Sequence, residues 1–518
     1  MAFFSIAFDI GSKVAKCAIG NERADILAME SFRPAVVCSE DGFCRACDEG
    51  TYWNDILALC KRTIKSARID AGQVKYITCS SIRPSCVFTD KDNNPLYIGS
   101  SFDMRGINSA DVIEPKFEKV ASKTFFRATG HFPILMYPPA RYAWYKDNES
   151  KACGEIAKYF PVDSWILARF GAEDHANADS AAESGFYDIE HRDWNYEWSE
   201  VLDLPGDFFP PVVRSGEIVG DVARNVQLEL GLPSDAVVVS GLPDTQAALV
   251  GAGCLDDRDA CVVVGSTTPV QLLKHDLFFD EKMQIWTTTF GLKNIVDSYV
   301  LEASTGITGQ ILNWAAGLFY ADDGQFKKEY FKKFDAEYDA LDAEEVSSPA
   351  QVRDIFAFLG PDHLASSQNT IVPGVFVFPT PGTVEEVALA KRQFIASVFD
   401  NIQFAVFKNL QFLEHTAGKP VKDRYLLGGV TRNATFCQRF ADLTGSDVRT
   451  AVEKEATITG LLITCMVASG GIKSAGDIKR LIDDKHGVDI KHPRSAMGEL
   501  LHKRFQKWDS MRGKIKEL

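Results

Sequence analysis

One local design occurs twice in the chain. FFSIAFDIGSKVAKCAIG, residues 3–20, is an apolar strand, a Gly-Ser-Lys turn and a second apolar strand; ACVVVGSTTPVQLL, residues 260–273, is an apolar strand, a Gly-Ser-Thr turn and another. Apolar runs broken by such a turn read as β-hairpins. A hairpin opening each half points to two halves of related architecture. The length agrees, since 518 residues exceed what one hydrophobic core organises. A cleft between the halves is then the natural seat for a small molecule.

Elsewhere the pattern is mixed. TYWNDILALCKRTIKSA (51–67) has helical periodicity, VKYITCSS (74–81) is a buried strand, and NNPLYIG (93–99) turns into another. Strands alternating with helices place the chain in the α/β class. In the second half, STGITGQILNWAAGLF (304–319) predicts a helix behind glycines, and residues 385–415 a long one. RYLLGGVTRNATFCQRFADLTG (424–445) predicts strand, Gly-Gly turn and helix, and ATITGLLITCMVASGG (456–471) a last apolar helix. From Asp483 the chain turns basic, which predicts a solvated terminal helix. The expected divisions are 1–248, 249–482 and a basic helical tail, 483–518.

Charge and composition narrow the function. A net charge of −15 argues against nucleic acid and anionic membranes as partners. No apolar run reaches the ~18 residues of a membrane span, and MAFFSIAFDIGSK lacks the basic start and cleavage site of a secretory signal, so a cytoplasmic protein is expected. Most of the 12 cysteines sit in apolar runs (Cys17, Cys60, Cys79, Cys254, Cys261, Cys465) and act as small hydrophobes. Cys38, Cys44 and Cys47 cluster but lack a nearby fourth ligand, so a loop with incidental thiols is favoured over structural zinc.

Phosphate-binding loops need glycine, so that backbone N–H groups approach oxygens closely, and small hydroxyl residues as extra donors. Four stretches offer this: DIGSK (9–13), GSTT (265–268), TGITG (305–309) and LGGVTRN (427–433). An ordinary turn is the local alternative at each. No GxxxxGK[ST] occurs, and GAGCLDD does not complete GxGxxG after a strand, so a nucleotide site here is neither Walker-type nor dinucleotide-type. One carboxylate, Asp244 in SGLPDTQAALVGAGCL, stands alone between a Gly/Pro turn and an Ala-rich run. Helix capping alone would account for it.

The order of these features resembles the FGGY carbohydrate kinases along nearly the whole chain. FDIGSKVAK resembles the family's first phosphate hairpin, with Ser12 for threonine and Lys16 in the basic position. SFDMRG resembles its Trp-x-Asp-x-Arg segment, with Phe102 for tryptophan; GLPDTQAALVGAG resembles its Gly-x-x-Asp base motif, with Pro243 where glycine is common. VVVGSTTPVQLL, the helix start at Gly309, and GGVTRNATFCQRFADLTGSDV followed by EKEATITG complete the series. The resemblance implies two actin-like (ribonuclease H-like) ATPase domains with a catalytic cleft between them, ATP and Mg²⁺ as cofactors, and a small sugar or polyol as acceptor. It implies Asp244 as general base and Asp9 as the residue facing Mg²⁺. Gly11, Ser12, Lys13, Lys16, Gly265, Ser266 and Thr267 would surround the phosphates; Gly309, Asn313, Gly428, Gly429 and Asn433 would contact the nucleotide. If the chain assembles, a homodimer is expected.

Acceptor recognition departs from the family. In ITCSSIRPSCVF the acceptor-contacting pair falls on Ile82 and Arg83, neither the Met-His of xylulokinases nor the Arg-Glu of glycerol kinases. Asp103 would accept sugar hydroxyls or pair internally with Arg105. Thr245 stands where glycerol kinases carry glutamine, and IVPGVFVFPTPGTVEE (371–386) replaces a Gly-Glu-Arg-x-Pro stretch. Arg83 raises the prospect of an anionic acceptor. A ketopentose such as xylulose or ribulose is the leading expectation; a glycerol, erythritol or other polyol kinase, or a non-catalytic sugar-binding relative, are the alternatives.

Overall fold

The computed structural model describes residues 3–321, 327–347, 355–365, 373–379, 391–451 and 455–515. Both expected hairpins are present. Phe4–Ile10 pairs antiparallel with Ala15–Asn21, and Ala260–Val263 with Thr267–Lys274. Each hairpin nucleates a sheet of the same order. In the first half, Ile26–Phe32, Ala15–Asn21, Phe4–Ile10, Val74–Ser81 and Val237–Val239 lie side by side; the first three are antiparallel and the last two continue parallel. In the second, Val296–Ile307, Thr267–Lys274, Ala260–Val263, Arg424–Leu427 and Val448–Ala451 repeat that order and those directions. Each gains an antiparallel edge strand beside its fifth member, Ile218–Asp221 or Val488–Lys491. This 3-2-1-4-5 order, occurring twice, is the duplicated ribonuclease H-like plan.

The central strands are apolar on both faces because helices cover both faces. Phe8, Ile10 and Cys79 pack under helix Tyr52–Ala67 and helix Val162–Phe170, with Trp165 and Phe170 fully buried. Val262, Val264 and Leu426 pack under the long helix Lys391–Ala417. That helix matches the one expected at 385–415, whose first residues, 385–390, lie outside the described residues, as does most of 371–386. A five-stranded sheet, ordered Val36–Cys38, Arg45–Cys47, Pro95–Ser100, Ser85–Thr89, Lys158–Phe160, is built onto the first half. Cys38 ends its edge strand and Cys47 the strand beside it, rather than lying in a loop.

The halves meet where helix Asp244–Ala252 crosses helix Ala456–Ala468. Small residues allow the backbones to touch. A Cβ on Gly251 would lie 1.9 Å from the Ala456 carbonyl oxygen, and one on Gly460 1.8 Å from that of Ala247. Around the crossing, Ala7 and Ala18 of the first sheet and Tyr425 of the second share one core with Leu249, Leu461 and Ile463. The expected boundary at 248 falls inside helix Asp244–Ala252.

The tail expectation is corrected. Val488–Lys491 is an edge strand of the second sheet, and helix Ser495–Ile515 docks on that half. Leu501, Phe505 and Trp508 pack against Phe404 and Phe407, and the buried Arg504 guanidinium binds Asp400 at 2.8 Å. Lys503, Lys507 and Lys514 are exposed, so composition concealed an apolar stripe. Among the described residues no helix is long and apolar enough to cross a membrane.

Candidate active site

Strand register brings the first acid into place. Asp9 lies opposite Lys16 across the hairpin and beside Ser80 on the parallel neighbour. Accordingly Lys16 Nζ stands 3.7 Å from Asp9 Oδ2, and the Ser80 hydroxyl donates to Oδ1 at 3.4 Å. Burial pushes the Asp9 carboxyl above its usual range, with Lys16 pulling it back. Lys16 also donates to Glu455 at 2.6 Å, at the start of the helix from the other half. Burial works against its charge, yet Glu455 and Asp9 outweigh it and hold its pKa above the usual lysine value. Lys16 thus ties the two halves together beneath the cleft.

Both hairpin tips are exposed. The amides of Ser12, Lys13 and Ser266 have no intramolecular acceptor among the described residues, the condition a phosphate oxygen requires. Gly309 N–H donates to the Gly265 carbonyl at 3.0 Å, so the helix Gly309–Tyr320 starts against the second tip. A Cβ there would meet Gly265 O at 2.7 Å. Gly428 has φ +95°, and a Cβ on it would meet Val264 O at 2.4 Å, whereas Gly429 faces open space. Asn313 is half-buried on the Gly309 helix. Asn433 is committed elsewhere: its side chain caps helix Ala434–Thr444 by accepting from Phe436 N–H and donates to Asp335. The expected purine contact from its amide is therefore corrected to a capping role.

Asp244 is the first residue of its helix, not its cap, which is Pro243. Its Oδ1 accepts from Thr245 N–H at 2.7 Å, and the Thr457 hydroxyl of the opposite half donates to its carbonyl at 3.3 Å. The side chain is 30% exposed. Desolvation raises its pKa to about 7, against the pull of Arg83 and aided by Asp9. A carboxyl that titrates near neutrality in a cleft is suited to proton transfer.

Arg83 is surrounded by acids. Its Nη1 donates to Glu183 and its Nη2 to Glu302, both at 2.8 Å, and its Nε lies 3.7 Å from Asp244 Oδ1. Burial opposes charge on Arg83, but Glu183 and Glu302 outweigh it and raise its pKa. Burial likewise opposes charge on Glu183, yet Arg83 and His131 hold it well below its usual range. His131 Nε2 sits 3.2 Å from Glu183, and Gln271 donates to Glu302 at 2.8 Å. The Gln271 Oε1 is buried without a partner among the described residues. Glu183 and His131 come from the first half, Glu302 and Gln271 from the second. None of these four was expected from the sequence, in which they lie far apart; strand register sets Gln271 opposite Glu302. The anionic-acceptor role raised for Arg83 is also corrected, because its guanidinium is already neutralised.

Ile82 and Phe102 line a cavity of about 250 Å³ with Gly11, Ser12, Lys13 and, from the second half, Gln310. Asp103 is corrected to an internal role. It is fully buried, bound by Arg105 Nε at 2.9 Å and by the Tyr97 hydroxyl at 3.0 Å, and closed to a sugar. Thr245 spends its hydroxyl on Gln246.

For Mg²⁺ the fit is good. Asp9 is a desolvated carboxylate with only long partners, on the hairpin whose tip amides are exposed, and a hard cation that keeps waters and phosphate ligands needs one such oxygen. Among the described residues no group of three His, Cys, Asp or Glu could enclose a metal by itself.

Two ribonuclease H-like halves, each presenting an amide-lined hairpin to one cleft with a carboxylate at the junction, define an actin-like phosphotransferase. The chain belongs to the FGGY family of carbohydrate kinases: the family's N-terminal domain profile matches residues 4–251 and its C-terminal domain profile residues 261–469. It is 24% identical over 467 residues to a putative sugar kinase, YoaC, of Bacillus subtilis, covering 89% of each chain. It is 25% identical over 468 residues to the glycerol kinase of Thermococcus kodakarensis, covering 89% of this chain and 87% of that one. Solved structures share the fold. Xylulose kinase from Lactobacillus acidophilus superposes with a TM-score of 0.82 at 17% identity, covering 99% of this chain and 98% of that one. Plasmodium falciparum glycerol kinase with ADP gives 0.82 at 14% identity and the same coverage. The protein is a sugar or polyol kinase of this family.

Proposed function

We propose that the chain transfers the γ-phosphoryl group of ATP to a hydroxyl of a ketopentose such as xylulose or ribulose, with Asp244 as general base. The observation that carries the kinase reading is Asp244: partly exposed, poised near neutrality and near enough to Asp9 of the first hairpin for that acid to raise its pKa. The acceptor O–H would give its proton to Asp244 as its oxygen bonds to phosphorus and the bond to ADP breaks. Ser12, Lys13 and Ser266 amides would hold the phosphates. Asp9 would hold Mg²⁺, which supplies positive charge to the phosphoryl oxygens. Closure of the halves would exclude water. We also propose a cytoplasmic location and, if the chain assembles, a homodimer. The xylulose kinase fold neighbours support the pentulose class, and the glycerol kinase relatives support a polyol. ADP release with ATP and a panel of ketopentoses, glycerol and longer polyols decides between them: turnover of xylulose or ribulose above all others is expected, and turnover of glycerol alone would overturn the pentulose assignment.

A further inference from the structure

Glu183 and Glu302 are joined to Asp244 through Arg83, yet phosphoryl transfer as described does not use them. Each of the Arg83 nitrogens Nη1, Nη2 and Nε faces a different carboxylate, so the guanidinium charge is already matched before a substrate's acid group arrives. Three carboxylates, those of Asp244, Glu183 and Glu302, meet one guanidinium and the His131 ring. With Asp244 ionised, as a base must be before it takes a proton, the carboxylates outnumber the cations in either charge state of that ring. Glu183 and Glu302 are buried, so water and salt screen them little. The unpartnered Gln271 Oε1, adjacent to Glu302, is an acceptor awaiting an O–H donor.

We infer that Glu183 and Glu302 are specificity-determining residues, which make the acceptor chamber net negative so that it takes uncharged polyhydroxy acceptors and turns away sugar acids and sugar phosphates. The inference rests on the kinase reading and deepens it. An aldonate with its hydroxyl at Asp244 brings a further negative charge within a few ångströms of these groups. At the effective dielectric of a protein cleft this costs roughly a tenfold to hundredfold loss in kcat/KM relative to the matching polyol. Glu302 belongs to the second half and Arg83 to the first, so the discrimination is complete only when the two halves meet.

The test compares matched pairs of equal chain length, xylitol with xylonate and ribitol with ribonate, on the full-length protein. ADP release should favour the neutral member at least tenfold. Glu302→Gln removes one negative charge while keeping the hydrogen bond to Arg83, and should raise the aldonate-to-polyol ratio about tenfold or more; Glu302→Asp should keep the wild-type ratio. Equal use of both members by the unmodified protein, or an unchanged ratio in folded Glu302→Gln, would overturn the inference. The comparison in unmodified protein needs no variant to fold. Absence of turnover with every acceptor, pentuloses included, would count against the kinase reading instead. Thermal stabilisation by the same pairs would then decide: preference for the polyol supports the inference, and stabilisation by the aldonate alike, or by neither, overturns it.

Discussion

Replacing Asp244 by Asn should make the protein more stable while removing the proposed base. The carboxylate is desolvated beside Asp9, and its pKa rises from 3.8 to about 7. A shift of that size corresponds to ~4 kcal/mol of strain in the ionised form, and partial solvent access leaves on the order of 1–3 kcal/mol. The folded state holds this proton more tightly than the unfolded chain does, so the strain is absent below pH 3.8, grows as pH rises, and is complete above about 7. An amide carries no such strain, and Arg83 keeps Glu183 and Glu302 as partners. Urea unfolding midpoints at pH 8 and pH 5 give the assay. The Asn variant should be more stable at pH 8 by 1–3 kcal/mol, with the difference falling by about half or more at pH 5. A variant less stable than the parent at pH 8, or a difference independent of pH, would refute the reasoning.

Other outcomes follow from the same contacts. If Asp244 ionises near 7, kcat/KM should climb about tenfold from pH 6 to pH 8, and a flat profile would remove it as the base. Trp508→Ala should destabilise the protein by about 3–5 kcal/mol by denaturant titration, because the ring is buried against Phe358 and Phe404; a solvated tail would lose almost nothing. Gly460→Ala should lower both the thermal midpoint and turnover, by about 1–3 kcal/mol in stability, since the new methyl would press on the Ala247 carbonyl; a silent substitution would show that the helices do not meet there.

The hairpins and the acid at the junction were legible because their information is local: a strand, a Gly-Ser turn, a strand, then a lone carboxylate in an apolar setting. The duplicated sheet order follows once two such hairpins are seen. Side-chain direction was not legible. Asp103 and Arg105 were placed by spacing, but only the fold shows Asp103 turned inward to Tyr97. Asn433 looked like a ligand contact because a capping Asn and a binding Asn have the same local sequence. The terminal helix was misjudged because its average composition is basic while Leu501, Phe505 and Trp508 share one face. The Arg83 cluster assembles positions 83, 131, 183, 271 and 302 from both halves, and no local pattern joins them.

The central claim is that Asp244 removes the acceptor proton while the hairpins bind nucleotide independently of it. The most direct measurement is ADP release by the Asp244→Ala variant alongside ATP binding by calorimetry. Turnover lost for every acceptor, with ATP affinity kept, is the predicted result. Undiminished turnover would contradict it.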